Sequence, residues 1–204
     1  MFEIIDNLMQ SPNALLIIQE VQNRIATEAE KRKEFYNLIH EDTKAEFING
    51  EIIFHSPVRN RHWVACTNLA AYLTIHVNTH KIGRVGVEKV MIRCTRNDYE
   101  PDIVFFKPET AAKFSAEQLI FPPPDLAIEI LSDSTRKMDY GIKFIDYAAH
   151  GITEYWIIDA DNQTVEQYIL KHSEYVLEQK LAVSGTIKSF VVTNFSLEIS
   201  KIFE

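Results

Sequence analysis

The chain has 204 residues, 46% of them hydrophobic and 25% charged, with a formal net charge of −8. This composition is that of a globular protein and excludes a disordered or fibrous chain. Its acidity excludes a protein that coats nucleic acid through many Lys and Arg contacts to phosphates, although an enzyme of nucleic acids with a local basic face remains open.

The longest apolar run, ALLII at 14–18, falls far short of the roughly 20 residues that a membrane-spanning helix needs. The start MFEIIDNLMQ is acidic and has no basic region ahead of an apolar stretch, so no signal peptide is read there. A cytoplasmic protein without a membrane partner is expected. The length suits one core, and residues 1–204 are expected to form a single domain with 1–40 as an N-terminal helical segment. Cys66 and Cys94 have neither CxxC nor Cys/His spacing and read as buried free thiols.

In chain order, Ser11 as N-cap followed by Pro12 predicts a helix start. Leu15, Ile18, Val21 and Ile25 recur at helical spacing, giving one or two helices over 11–39. In AEFINGEIIFH, residues 45–55, Asn49-Gly50 lies between alternating apolar runs and predicts a hairpin with a type I′ turn. Trp63, Val64, Leu69, Tyr72, Leu73 and His76 predict a helix over 60–79 that ends near Gly83. RVGVEKVMIRC, DIVFFK and LAIEIL read as strands, the last introduced by three prolines at 122–124 that neither a helix nor a central strand would tolerate. A second helix is expected over about 139–149, capped by Asp139 and by Ser134 or Thr135. EYWIID, TVEQYIL and YVLEQKL are dense in β-branched and aromatic residues and predict an antiparallel meander. The order predicts an α/β fold with a mixed central sheet flanked by helices, plus C-terminal antiparallel strands.

Two carboxylates stand out against this pattern. Asp102 follows Pro101 at the start of the apolar run IVFF, and Glu129 lies between Ile128 and Ile130. Buried acids are costly unless paired, hydrogen-bonded or bound to a metal. Brought together on neighbouring strands, they would suit Mg²⁺, a hard cation that takes oxygen ligands and activates water for attack at phosphorus. The residues alone leave open a turn role for Asp102 and an edge-strand position for Glu129.

The ordered string E-x-I-x-G-E-I, S-P, H, P-D-I-V, D-L-A-I-E-I-L-S-x-S-T, D-Y-x-x-K-x-x-x-Y and G-I-T-E-Y-W-I-I-D, over about residues 28–170, resembles the Uma2-like family of the PD-(D/E)XK endonuclease superfamily. The resemblance implies a restriction-endonuclease-like core and a metal-dependent endonuclease acting on DNA, with Mg²⁺ or Mn²⁺ as cofactor. It assigns Asp102, Glu129 and Glu46 as metal ligands and Lys143 as the catalytic lysine, with His62 as an accessory. Leu131 stands two positions after Glu129, where the superfamily motif has its lysine. Either Lys143 fills that gap or the protein is a catalytically inactive, nuclease-like binding or regulatory protein, and the orientation of Lys143 discriminates between them. Two such sites facing one duplex would favour a homodimer. Arg59, Arg61, Lys81, Arg84, Arg93, Arg96, Arg136 and Lys137 are the candidates for a basic binding face. Tyr147, Tyr155 and Trp156 read as core aromatics.

Overall fold

The computed structural model describes residues 2–40 and 44–204. The N-terminal segment forms α1 (Phe2–Met9) and α2 (Ala14–Leu38). Ser11 accepts from the Asn13 amide across the break, and α2 starts at Asn13–Ala14 with no side-chain cap, so Ser11 is not its N-cap. Asn49 and Gly50, at φ 52° and 83°, turn β1 (Ala45–Ile48) into β2 (Glu51–Phe54) as the Asn-Gly signal predicts. The helix α3 (Asn60–His80) follows, closed by Lys81 in the left-handed region.

The run RVGVEKVMIRC is not one strand. Glu88 and Lys89 take positive φ and break it into β3 (Arg84–Val87) and β4 (Met91–Arg93), which join different sheets. Then come β5 (Asp98–Tyr99), β6 (Ile103–Phe106), α4 (Pro108–Ala111), β7 (Ile120–Phe121) and β8 (Leu126–Ile130). The helix expected over 139–149 is two: α5 (Arg136–Asp139) and α6 (Ile142–Ala149), divided at Gly141. The chain closes with β9 (Glu154–Asp159), β10 (Thr164–Lys171), β11 (Glu174–Ala182), β12 (Thr186–Lys188), β13 (Ser196–Glu198) and α7 (Ser200–Phe203).

The strands form two main sheets rather than one central sheet. One has the order β2-β1-β5-β4-β7 and the other β11-β10-β9-β8-β6-β3, with β12 and β13 as a separate pair. Both main sheets are mixed: β4–β7 and β8–β9 are parallel and the other pairs antiparallel. The expected meander is present in β9–β10–β11.

Strand alternation sorts the larger sheet into two faces. Ile103, Phe105, Ile128, Ile130, Trp156 and Ile158 pack against Ala65, Cys66, Leu69, Leu73 and Val77 of α3. Val104, Phe106, Ala127, Tyr155 and Ile157 face the other way, toward Tyr147 and Ala148 of α6 and Ile48, Ile92 and Tyr99 of the smaller sheet. Glu129 shares the parity of Ala127, so its side chain points into this second layer. Gly83 lets the chain leave α3 tightly: at φ +145° a Cβ there would meet the Phe106 carbonyl oxygen at 2.2 Å.

Glu154 ties the C-terminal strands to the sheet. Its fully buried carboxylate accepts from Trp156 Nε1, Gln167 Nε2, Ser189 Oγ and the amides of Phe190 and Val191, at 2.6–3.0 Å. Glu154→Ala strands these donors without an acceptor, and a loss of about 3–5 kcal/mol in urea unfolding is expected. A loss below about 1 kcal/mol, the range of ordinary surface changes, would contradict this role.

Candidate active site

The register of β6 and β8 builds the centre of the site. Ile103 pairs with Ile128, so Asp102, one residue before the strand, stands opposite Glu129. The backbone amide of Ile130 donates to Asp102 Oδ2 at 2.8 Å, which fixes the carboxylate at the strand end. Glu46 arrives from the other sheet. In β1, Ala45 and Phe47 turn to Phe35 of α2, while Glu46 and Ile48 turn the opposite way, toward β8 and α6.

Lys143, one residue inside α6, extends back over the end of β8 and is 1% exposed. Its Nζ stands 3.0 Å from Glu129 Oε1, 3.0 Å from Glu46 Oε1 and 3.5 Å from Asp139 Oδ1. The lysine is therefore in the acid cluster and not in solvent. Tyr147, one turn further along α6, donates from its hydroxyl to Glu129 Oε1 at 2.8 Å, a polar task added to its core packing. Asp139 is 1% exposed and paired to Lys143. It belongs to the cluster and does not cap α6, whose N-cap is Gly141.

His62, in the first turn of α3, places Nε2 3.3 Å from Asp102 Oδ2. Several residues around the acids had no assigned role in the sequence reading. Lys44 Nζ lies 3.8 Å from Asp102 Oδ1, and His55 Nε2 lies 3.2 Å from Glu46 Oε2. Glu100, 5% exposed, donates its amide to Glu46 Oε1 at 2.9 Å. The signal for each was alternation: Lys44 and His55 share parity with Glu46 and its partner Ile53 across the hairpin, and Glu100 sits two residues before Asp102.

Five carboxylates thus crowd together, three of them around the Lys143 ammonium. Burial opposes the charge on every one of them, and the neighbours decide the outcome. Burial would raise Glu46, but the Lys143 ammonium and His55 bring its carboxyl down to about 2. Burial would likewise raise Asp102, which the His62 hydrogen bond and Lys44 hold below the usual range. Glu129 is pushed well up by burial and by the charges of Asp139, Asp102 and Glu46, which Lys143 only partly offsets. Asp139 is raised by burial, and Glu100 goes to about 7 through burial and the charge of Glu46. Burial disfavours the Lys143 ammonium, yet Glu129, Glu46 and Asp139 hold its pKa well above that of a free lysine. It stays charged at neutral pH.

The donor set is all oxygen and suits a hard divalent cation. Glu100 Oε2 is buried without a hydrogen-bond partner, as an atom awaiting a ligand would be. At present the Lys143 ammonium stands between Glu46 and Glu129. Among the described residues, the one set of three that brings ligand atoms within 4.8 Å of one another is Cys94, Asp146 and His150. That set is a hydrogen-bonded knot: His150 Nε2 accepts from the Thr95 amide, which leaves Nδ1 to donate to the Asp146 carbonyl. No ring lone pair remains for a metal. Burial also raises the Cys94 thiol far above the ordinary range and pushes Cys66 up to about 12, in keeping with unreactive free thiols.

A cleft of about 220 Å³ opens onto the acids, lined by Lys44, His55, His62, Asp102, Glu129 and Lys143 on its inner side. Arg59, paired with Asp133 at 3.0 Å, and Arg61, paired with Asp161, line it further out. Of the eight basic residues singled out from sequence, these two reach the cleft. Arg93 and Arg96 instead bind Tyr36 and Glu28 of α2, and Arg136 binds Asp159.

No curated protein sequence matches the chain. A crystal structure of a "putative nuclease belonging to DUF820" from Anabaena variabilis has the same fold, with a TM-score of 0.70 at 21% identity over 84% of this chain and 96% of that one. The profile of the Uma2 family, described as "Putative restriction endonuclease", matches residues 32–200 and so contains every residue of the acid cluster. With that match over most of its length, this chain belongs to the Uma2 family.

Proposed function

We propose that this protein is a metal-dependent DNA endonuclease that hydrolyses phosphodiester bonds, working as one nuclease-like domain in the cytoplasm. The observation that carries the reading is the burial of five carboxylates in one place, Glu46, Glu129 and Asp139 around the Lys143 ammonium, Asp102 beside His62 and Lys44, and Glu100 next to Glu46. Gathering so many acids is costly in a structural core, as the raised Glu129, Asp139 and Glu100 show, and a divalent cation would offset that cost. Asp102, Glu129 and Glu46 are the residues to hold Mg²⁺ or Mn²⁺. When bound, the cation would lower the pKa of a water and offset charge on the phosphate.

The remaining work falls to side chains of this protein. Lys143, charged throughout the neutral range, acts as a stabiliser of the negative phosphate and not as a proton acceptor. His62 and Lys44 hold Asp102 ionised and oriented. Arg59 and Arg61 meet the incoming backbone at the outer part of the cleft, where their pairs with Asp133 and Asp161 are exposed and readily exchanged for phosphate. The placement of Lys143 in the acid cluster and not in solvent supports catalysis over an inactive, purely binding or regulatory protein. No helix among the described residues is long and apolar enough to cross a membrane.

The test is a titration of Mg²⁺ and of Mn²⁺ into the purified protein with supercoiled plasmid. Nicking that rises with the cation and stops on chelation is expected. Plasmid left intact across the titration of both metals would exclude the endonuclease reading.

A further inference from the structure

Among the described residues, four Lys or Arg side chains line the cleft, and their exposure places them at three depths. Lys143 is innermost. Its side chain is 2% exposed and its ammonium is enclosed by Glu46, Glu129 and Asp139, so a phosphate would reach it only past carboxylates. Arg59 and Arg61 are outermost, largely exposed and paired with Asp133 and Asp161. Lys44 stands between these levels, with its side chain 20% exposed.

The hairpin fixes the position of Lys44. Ala45 pairs with Phe54, and the His55 amide donates to the Lys44 carbonyl at 3.2 Å, which ties this backbone at the open end of the hairpin. Sharing the parity of Glu46, the side chain turns to the cleft. There its Nζ lies 3.8 Å from Asp102 Oδ1, near enough to attract and too far for a hydrogen bond. Asp102 has firmer partners on its other oxygen, the Ile130 amide at 2.8 Å and His62 Nε2 at 3.3 Å. His62 also does more than Lys44 to hold Asp102 ionised. Asp102 therefore keeps its charge without Lys44, and this ammonium is loosely paired, partly desolvated and open to the cleft.

We propose that Lys44 is a substrate-binding residue, whose ammonium exchanges its loose contact with Asp102 for a charge-assisted hydrogen bond to a backbone phosphate of the DNA in the cleft. The inference rests on the reading of this cleft as a DNA site and names the side chain that makes the inner contact. A strand entering the cleft approaches buried carboxylates, and its phosphate settles there only where positive charge faces it. Lys143 acts on that phosphate through its field, from behind Glu46 and Glu129, while Arg59 and Arg61 meet the strand further out. Direct contact at the inner level is left to Lys44. A lysine suits the task, because a compact charge on a flexible stem turns from a carboxylate to a phosphate without movement of the backbone. Partial burial makes the new contact stronger than one made by the exposed arginines.

The measurement is the affinity of the whole chain for a fluorescently labelled DNA duplex over a series of salt concentrations, with Ca²⁺ present as an oxygen-binding cation, beside a calorimetric titration of Mn²⁺. Lys44→Gln is expected to bind the duplex at least about tenfold more weakly and to lower the slope of log affinity against log salt by about one, the signature of one lost phosphate contact. Lys44→Arg keeps the charge and is expected to retain most of the affinity and the whole slope. Mn²⁺ affinity should be undiminished in both, because His62 keeps Asp102 ionised. Wild-type affinity and slope in folded Lys44→Gln protein overturn the proposal. A loss of Mn²⁺ affinity in that variant overturns it too, since the effect then passes through Asp102. Neither readout requires cleavage, so an intact plasmid in the nicking assay removes the nuclease reading and leaves this one standing. A wild-type chain that takes up no duplex overturns the proposal together with the DNA substrate.

Discussion

Lys143→Met is expected to abolish cation-dependent cleavage, with a loss on the order of 10²–10³-fold from the missing charge at the phosphate alone. Methionine keeps the length and packing of the buried stem, whereas Lys143→Ala removes both the charge and the stem. Either change deprives Glu46, Glu129 and Asp139 of their shared counter-ion, at a cost of about 3–5 kcal/mol in stability, and alanine adds the cost of a cavity. Methionine is thus the cleaner probe of chemistry and alanine the probe of structure. The ammonium now stands between Glu46 and Glu129, so its removal should leave Mn²⁺ affinity undiminished or increased. Wild-type cleavage by folded Lys143→Met protein would remove this residue from the mechanism.

Asp102→Asn is expected to lose both cleavage and metal binding while remaining folded. The asparagine carbonyl can still accept from the Ile130 amide, which preserves the junction of β6 and β8. The charge that His62 and Lys44 hold ionised is gone. Since His62 and Lys44 hold Asp102 below the usual range, its charge stabilises the folded state at neutral pH, and the unfolding midpoint should fall modestly. Metal-assisted stabilisation of charge at phosphorus is worth several kcal/mol, and each ~1.4 kcal/mol is tenfold in rate, so a fall of roughly 10³-fold is expected. Calorimetric titration separates the two variants: Mn²⁺ affinity should drop in Asp102→Asn and persist in Lys143→Met. The same affinity in Asp102→Asn as in the wild type would refute its role as a ligand.

Much of the site was legible because strands repeat every two residues. Asp102 and Glu129 interrupt buried runs, and an acid in such a run must have a partner. Alternation with the Asn-Gly turn also carried the hairpin, while helical spacing carried α3 and β-branched and aromatic composition the meander. What it could not carry was the meeting of the two sheets. RVGVEKVMIRC reads as one strand by composition, yet positive φ at Glu88 and Lys89 sends its halves into separate sheets. Propensity describes each residue within its own segment, while the division is decided by what each half packs against. The roles of Lys44, His55, Glu100 and Asp139 were missed for a related reason. Each is an ordinary polar residue in its own segment, and its role arises from neighbours distant in sequence.

The amino-acid sequence by itself showed two acids set among apolar runs, a helix with a lysine after the second acid, and an order of motifs that resembles the Uma2 family. Periodicity and turn chemistry are local, and they are written in consecutive residues. Only the tertiary structure decided that the Lys143 ammonium stands 3.0 Å from both Glu46 and Glu129. That arrangement depends on β1 from one sheet, β8 from the other and α6 between them converging on one point. Convergence is a property of packing, because the cost of burying charge is settled only once all the charges are in place.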